Sequence, residues 1–324
     1  MNPATTTEYT IKQLETSDFD LLLPLMKDAF GMTVDFDYFK WKFLDNPAGH
    51  FIGFVAVHSS GEVGAYYGVM PERYSIRGQE RIIYQSCDTM THSQHRRRGL
   101  FQMLAVHCYE HLRAQGKLFV IGFGGKLSTP GLLKFGWRSV MLFRAYFIPR
   151  LLCRIGSGSS ADDVVPVENV EDIAHLLEHT GPEPIHSVRN LLTVRWRLSN
   201  PRYAYRLQAY REKGALVGYT CHYWDGSKIT LFDFHFPDAR ARRALLGSLK
   251  REAVRTGGKG IVAWAKEGSG TARQLSAGGF ISNPFQKGPL HEKLPFVFYA
   301  EEATMQEFSA PDCWHLETFD HDAF

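Results

Sequence analysis

The sequence holds 324 residues, 44% of them hydrophobic and 22% charged, with 37 basic against 34 acidic side chains and a net charge of +3. That length is comfortable for two domains with real cores, and so even a charge balance lacks the concentrated basic excess of a nucleic-acid reader. The N-terminus has no basic start leading into an apolar run, and no apolar stretch nears the roughly 20 residues of a membrane span. Cys87, Cys108, Cys153, Cys221 and Cys313 are scattered, odd in number and free of CxxC spacing, which argues against a disulfide framework or a cysteine zinc site and makes a reducing cytoplasm the expected compartment.

In chain order, "EYTIKQL" alternates as a strand does, and Ser17 or Asp18 can cap a helix over "DFDLLLPLMKDAF". "FDYFKWKFL" reads as a short second helix, stopped by Asn46 because Pro47 biases its predecessor away from helical angles. The stretch from Phe51 to Gly78 has the pattern of a hairpin turning at Ser59 to Gly61, and "ERIIYQSCDTMT" is the next strand. From about Gly99 to Ala114, Leu100, Leu104, Cys108 and Leu112 recur every fourth residue and predict an amphipathic helix. "KLFVIGFG" follows as a strand, and a short helix is expected from Ser128 or Thr129 to Phe135. The expected fold class is α/β with a mixed sheet, not a doubly wound one.

The second half repeats these punctuators. "WKFLDNPAG" around Trp41 is echoed by "WRLSNPRYA" around Trp196, and each proline, Pro47 and Pro201, precedes a strand glycine, Gly64 and Gly218, by the same interval. Both halves go on to a strand, a helix, a strand and a short helix ending in Gly plus an aromatic, "KFGW" and "AGGF". The spacing predicts a duplicated unit: residues 1–155, a small polar linker over 156–165 containing "GSGSSAD", and residues 166–324.

The most informative stretch is "HRRRGLFQML". It lies where a strand gives way to a helix, and there the helix dipole and several outward amides favour an anion. A glycine at that point lets the backbone approach a phosphate closely. Arg96, Arg97, Arg98 and Gly99 therefore read as a diphosphate cradle, not as a nucleic-acid patch, which would need basic and aromatic residues over a wider face. The corresponding "HFPDARARRALL" has arginines at 240, 242 and 243 but no glycine at the junction, so those arginines are expected to form a solvated helix face and one cradle is expected per chain.

"THSQHRRRGLFQML" resembles the acyl-CoA-binding motif of the GNAT superfamily of N-acetyltransferases, with Arg96 first and Gly99 fourth in the RxxGxG/A loop and Phe101 where a small residue is usual. The resemblance implies a tandem GNAT fold of two acyl-CoA N-acyltransferase-like units, the second degenerate. It implies acetyl-CoA or another acyl-CoA as co-substrate and a small-molecule amine acceptor, such as an amino sugar of a polysaccharide precursor, as in the branch whose loop ends "RGLF". It further places Thr89, Met90 and Thr91 beside the thioester and pantetheine and the loop from Arg96 through Leu100 and Phe101 around the diphosphate. No metal, nucleic acid or transmembrane segment is implied, and homo-oligomerisation is left open.

The proton acceptor is less determined. Asp88 and His92 are the titratable groups nearest the end of the fourth strand, yet Asp88 between polar neighbours also suits a purely structural bond to the loop. The tyrosine acid common in the family falls at Leu132, and its usual asparagine at Gly125. The apolar tail "CWHLETFDHDAF" offers Asp320 and Asp322 as another carboxylate source, entering the active site as the terminus does in Eis-type tandem acetyltransferases; as a metal site the Asp-His-Asp run has poor ligand geometry. Transfer of a longer acyl chain to a lipid amine, a Fem-type peptidyl transferase and a non-catalytic CoA-binding protein are the alternative readings.

Overall fold

The computed structural model describes residues 8–125, 128–155, 163–178, 183–285, 287–288, 290–291 and 293–322. The chain forms two compact units, the first from Met1–Val140, Ser199–Pro201 and Val297–Ala310, the second from Met141–Leu198, Arg202–Phe296 and Pro311–Phe324. The division falls ahead of the linker expected over 156–165, of which residues 156–162 lie outside the described residues. Composition marks loops, whereas a unit is set by which strands share a core: Val297, far along the sequence, is buried in the first core and Tyr299 packs against it.

In the first unit β1 (Tyr9–Gln13) leads through a 3-10 turn, Thr16–Leu21, into α1 (Leu22–Phe30). Next comes α2 (Phe36–Phe39), which runs on as a π-helical turn over Lys40–Leu44. β2 (Ile52–His58), β3 (Val63–Ile76) and β4 (Gln79–Thr91) form an antiparallel meander, and β1 lies antiparallel outside β2. α3 (Leu100–Ala114) then carries the chain over to β5 (Phe119–Phe123), which runs parallel to β4, and α4 (Thr129–Lys134) follows. Leu100, Leu104, Cys108 and Leu112, the predicted stripe, are all buried against the strand residues Phe54, Ala56, Ala65, Tyr67 and Val69, which sit at the alternate positions that a pleat directs to one face.

Two irregularities interrupt this sheet near the end of β4. Tyr66 pairs with Met90 and Gly68 with Cys87, so Asp88 and Thr89 together oppose Tyr67: β4 carries a bulge, with Asp88 in the left-handed region at φ 48°. β4 and β5 are paired at Tyr84–Val120 and Gln85–Ile121, while β4 runs on to Thr91 and β5 only to Phe123. The regular pairing therefore stops well short of the end of β4.

The second unit takes β6 (Arg138–Pro149) from Met141 onward, α5 (Arg150–Cys153), β7 (Val164–Val167), β8 (Ile185–Ser187) and α6 (Leu191–Leu198). β9 (Arg206–Glu212), β10 (Ala215–Trp224) and β11 (Ile229–His235) form an antiparallel meander, and α7 (Ala239–Arg255) crosses to β12 (Gly260–Lys266), parallel to β11. α8 (Gly270–Ala277) follows. The sheet order is β7-β9-β10-β11-β12-β6.

The duplication is physical as well as textual. A Cβ on Gly64 would lie 3.2 Å from the His95 ring and 3.2 Å from Leu100 Cδ1; a Cβ on Gly218 would lie 2.9 Å from Pro237 and 3.6 Å from Leu245 Cδ1. Each glycine lets the incoming chain and the first core leucine of the crossover helix close on the same strand.

The tail is built into the second unit. Arg197 donates to the carbonyls of Phe319 and His321, Ser187 Oγ donates to Asp320 Oδ1 at 2.5 Å, and Phe319 is buried among Val170, Val194 and Phe232. The carboxylate of Asp320 is thus held within its own unit; residues 323–324 lie outside the described residues.

Candidate active site

Between the end of β4 and the start of α3 the backbone alternates in handedness: φ is −64° at Arg96, +65° at Arg97 and +77° at Gly99, with Arg98 on the negative side between them. Alternation of this kind turns successive N–H groups toward one concavity, the arrangement that holds anions in phosphate-binding loops. Gly99 is also the residue immediately before α3, whose first amides have no partners within the helix. A Cβ at Gly99 would meet nothing within 4 Å, so open space faces the loop, and the glycine is needed for its φ, not for clearance.

The side chains divide their work unevenly. Arg96 and Arg97 are exposed, whereas Arg98 Nη1 is 2.9 Å from Glu8 Oε2, a surface pair that anchors the loop to the residue before β1. Leu100 is buried, its side chain in the core of the first unit. Phe101, the departure from the small residue usual in this motif, packs edge-on against Tyr67 with centroids 5.8 Å apart and at 5.6 Å from Phe135, and Gly131 of α4 leaves the room for it. Its ring is stacked into the unit, so the departure closes the seam between α3 and α4.

The bulge on β4 takes Asp88 and Thr89 off the regular ladder and frees backbone amide capacity beside the place where β4 and β5 part. Met90 is buried, while Thr89 and Thr91 are half-buried.

Asp88 is locked into a constellation that sequence reasoning missed. Lys42 Nζ, fully buried, donates to Asp88 Oδ2 at 2.8 Å, and Tyr38 Oη donates to both oxygens at 3.2 and 3.3 Å. Lys42 Nζ also lies 3.2 Å from Tyr38 Oη. Lys42 belongs to the π-helical turn after α2; a wider turn of this sort re-aims side chains and recurs at functional sites. The available signal was a lysine four residues after Tyr38 inside an aromatic run, at the spacing that brings two side chains together on a helix. The Tyr66 hydroxyl, fully buried close to this group, has no hydrogen-bond partner among the described residues, and burial pushes its pKa well above the usual phenol range.

His92 sits elsewhere. Its Nδ1 accepts from Gln94 N–H at 3.3 Å, capping the 3-10 turn Ser93–His95, and its Nε2 points to Glu62 and Asp28 at 3.6 and 3.8 Å. Asp88 and His92, the two sequence candidates for the base, therefore belong to separate groups. Leu132, at the family's tyrosine position, is buried in the core and carries no proton to give. Gly125 accepts from Thr129 Oγ1 at 2.8 Å and its N–H donates to Ser128 Oγ at 3.0 Å, bonds that tie it to the N-terminus of α4.

Residues 10–140 match the family model described as an acetyltransferase (GNAT) domain. No curated protein matches the sequence. Among solved structures, the chain is similar to a conserved protein of Enterococcus faecalis V583 described as a probable N-acyltransferase, at 12% identity and a TM-score of 0.67, covering 91% of this chain and 73% of that one. It is similar to a tandem GNAT protein from the clavulanic acid biosynthesis pathway, at 14% identity and TM-score 0.63, over 90% and 98% of the two chains. A third likeness is Saccharomyces cerevisiae N-myristoyltransferase with bound myristoyl-CoA, at 10% identity and TM-score 0.61, over 91% and 79%. With the mixed sheet, the duplicated meander and these likenesses together, the chain has the tandem GNAT fold, and its residues 10–140 match a GNAT domain.

Proposed function

We propose that the first unit binds one acyl-CoA, with acetyl-CoA the donor that best suits it, and transfers the acyl group directly to a primary amine of a small molecule such as an amino sugar of a polysaccharide precursor. The observation that carries this reading is the alternating backbone at Arg96–Gly99, set at the N-terminus of α3 and beside the parting of β4 and β5. The loop amides and the exposed Arg96 and Arg97 hold the diphosphate, and the slot between the strands takes the pantetheine as an added strand. The thioester supplies the acyl group.

Thr89, Met90 and Thr91 then lie where a backbone N–H meets the thioester oxygen, and a donor aimed at that oxygen stabilises the negative charge that develops as the amine attacks. Asp88 accepts the amine's proton, directly or through one water, and Lys42 and Tyr38 fix its carboxylate in place. Leu132, at the family's tyrosine position, has no proton to return to the departing thiolate. The intact loop speaks against a Fem-type peptidyl transferase, which has no need of it.

The test is to identify by mass spectrometry any acyl-CoA that co-purifies or binds, and then to screen an amine library for release of free thiol. Thiol release with an amino sugar and acetyl-CoA is the expected result. Tight CoA binding with no acylation of any amine would favour a CoA-binding protein instead.

A further inference from the structure

Behind the cradle, three side chains from three segments converge. Glu62 comes from the turn between β2 and β3, His92 from the end of β4 and His95 from the 3-10 turn beyond it; one donor atom of each lies within 4.8 Å of the others. His95 Nε2 is 2.9 Å from Glu62 Oε2, and His92 Nε2 is 3.6 Å from Glu62 Oε1. Two imidazoles and a carboxylate are donors that zinc takes, and bonds of about 2.0–2.1 Å in tetrahedral geometry space such donors about 3.3 Å apart. We propose that Glu62, His92 and His95 bind one zinc ion, which ties the β2–β3 turn to the chain entering the Arg96–Gly99 loop.

The surroundings support a built site. His95 is buried, and Tyr9 Oη lies 2.5 Å from its Nδ1; with the ring proton on Nδ1, the tautomer that metal binding at Nε2 requires, Tyr9 Oη accepts it and the lone pair of Nε2 faces Glu62. A hydrogen bond to the second ring nitrogen is how ligating histidines are oriented. His92 presents Nε2 to the same point; binding there moves its ring proton to Nδ1 and releases the long Gln94 contact. Asp28, whose carboxylate is held by Ser93 N–H at 2.6 Å and Ser93 Oγ at 2.7 Å, brings a second negative charge 3.8 Å from His92 Nε2. The Glu62 side chain is 51% exposed, which gives the ion a way in and leaves a fourth position to water. Glu62 is far from the two histidines along the chain, so spacing alone did not reveal the group.

Tag-free, chelator-treated full-length protein, titrated calorimetrically with zinc chloride in the absence of CoA, tests this directly. One zinc per chain is expected, with Glu62→Gln and His92→Ala each weakening it by about tenfold or more, since even the outer partners of metal ligands cost about 10–100-fold. His107→Ala, on the exposed surface of α3, should bind as the parent does. Glu62 lies outside the core, so its variant keeps the fold, checked by an unchanged circular dichroism spectrum. No saturable zinc binding, or parental affinity in the Glu62 and His92 variants, would overturn the proposal. Neither result bears on the acyl-transfer reading, because no CoA is present.

Discussion

In the first unit the chain from Asp88 to Leu100 runs as bulged strand, a single 3-10 turn and open loop, and α3 begins only at Leu100; in the second, the equally spaced stretch from Asp233 to Leu245 has turned helical by Ala239. The reason is local. Asp238 caps α7, its carboxylate accepting from Arg240 N–H and Ala241 N–H, both at 2.8 Å, so the amides that an anion would use are taken by the chain's own side chain. Ala244 stands where the first unit has Gly99, and a helical alanine closes the left-handed step that the cradle needs. Meanwhile the framework persists: Gly64 and Gly218 make the same close approach, and Asp233, like Asp88, is gripped by a buried cation and a tyrosine, here Arg189 at 3.1 Å and Tyr219 at 2.7 Å. The junctions thus differ in sequence and in backbone path while the fold around them stays the same.

The shared buried ion pairs allow the largest perturbations. Lys42→Met strands the Asp88 carboxylate and Arg189→Met strands Asp233, Glu317 and Asp320; each should cost about 3–5 kcal/mol in urea unfolding. A loss below about 1 kcal/mol would mean that water solvates these carboxylates. Asp238→Ala removes the cap of α7 and should cost about 1 kcal/mol while leaving CoA affinity as it was; an altered affinity would tie the second junction to the site. Arg98→Ala breaks the surface pair with Glu8 and the contact with the Tyr9 hydroxyl, so stability should fall by less than about 1 kcal/mol, and CoA binding should weaken less than when Arg96 is removed.

The smallest effect is one of pH. The bonds from Ser93 Oγ–H and N–H hold the Asp28 carboxyl below the usual carboxylate range. Its contribution to the turn is therefore complete above the ordinary aspartate pKa and is lost as pH falls through the lowered one. An NMR titration of Asp28 should show a midpoint below about 3.9, and Ser93→Ala should bring it back up.

Much of this could be read in the sequence, because it rests on local punctuation. Gly99 after three arginines, the fourfold stripe from Leu100 to Leu112 and the paired Trp and Asn-Pro elements each declare themselves within a few residues. What escaped is non-local. Lys42 reaches Asp88 across 46 positions, and the bulge that aims Asp88 is a matter of register between two strands. The unit boundary escaped because Val297–Ala310 rejoins a core built from the first 140 residues. The tail, apolar and acidic enough to suggest an entrant to the active site, is engaged by Arg197 and Ser187 of its own unit.

The most direct measurement is calorimetric titration of the full chain with CoA, with Gly99→Val alongside. One CoA per chain is expected, and at least a tenfold loss of affinity in the variant, whose valine cannot hold the left-handed φ of 77° without a strain of about 1–2 kcal/mol. Two CoA per chain, or an unchanged affinity in Gly99→Val, would contradict the single cradle.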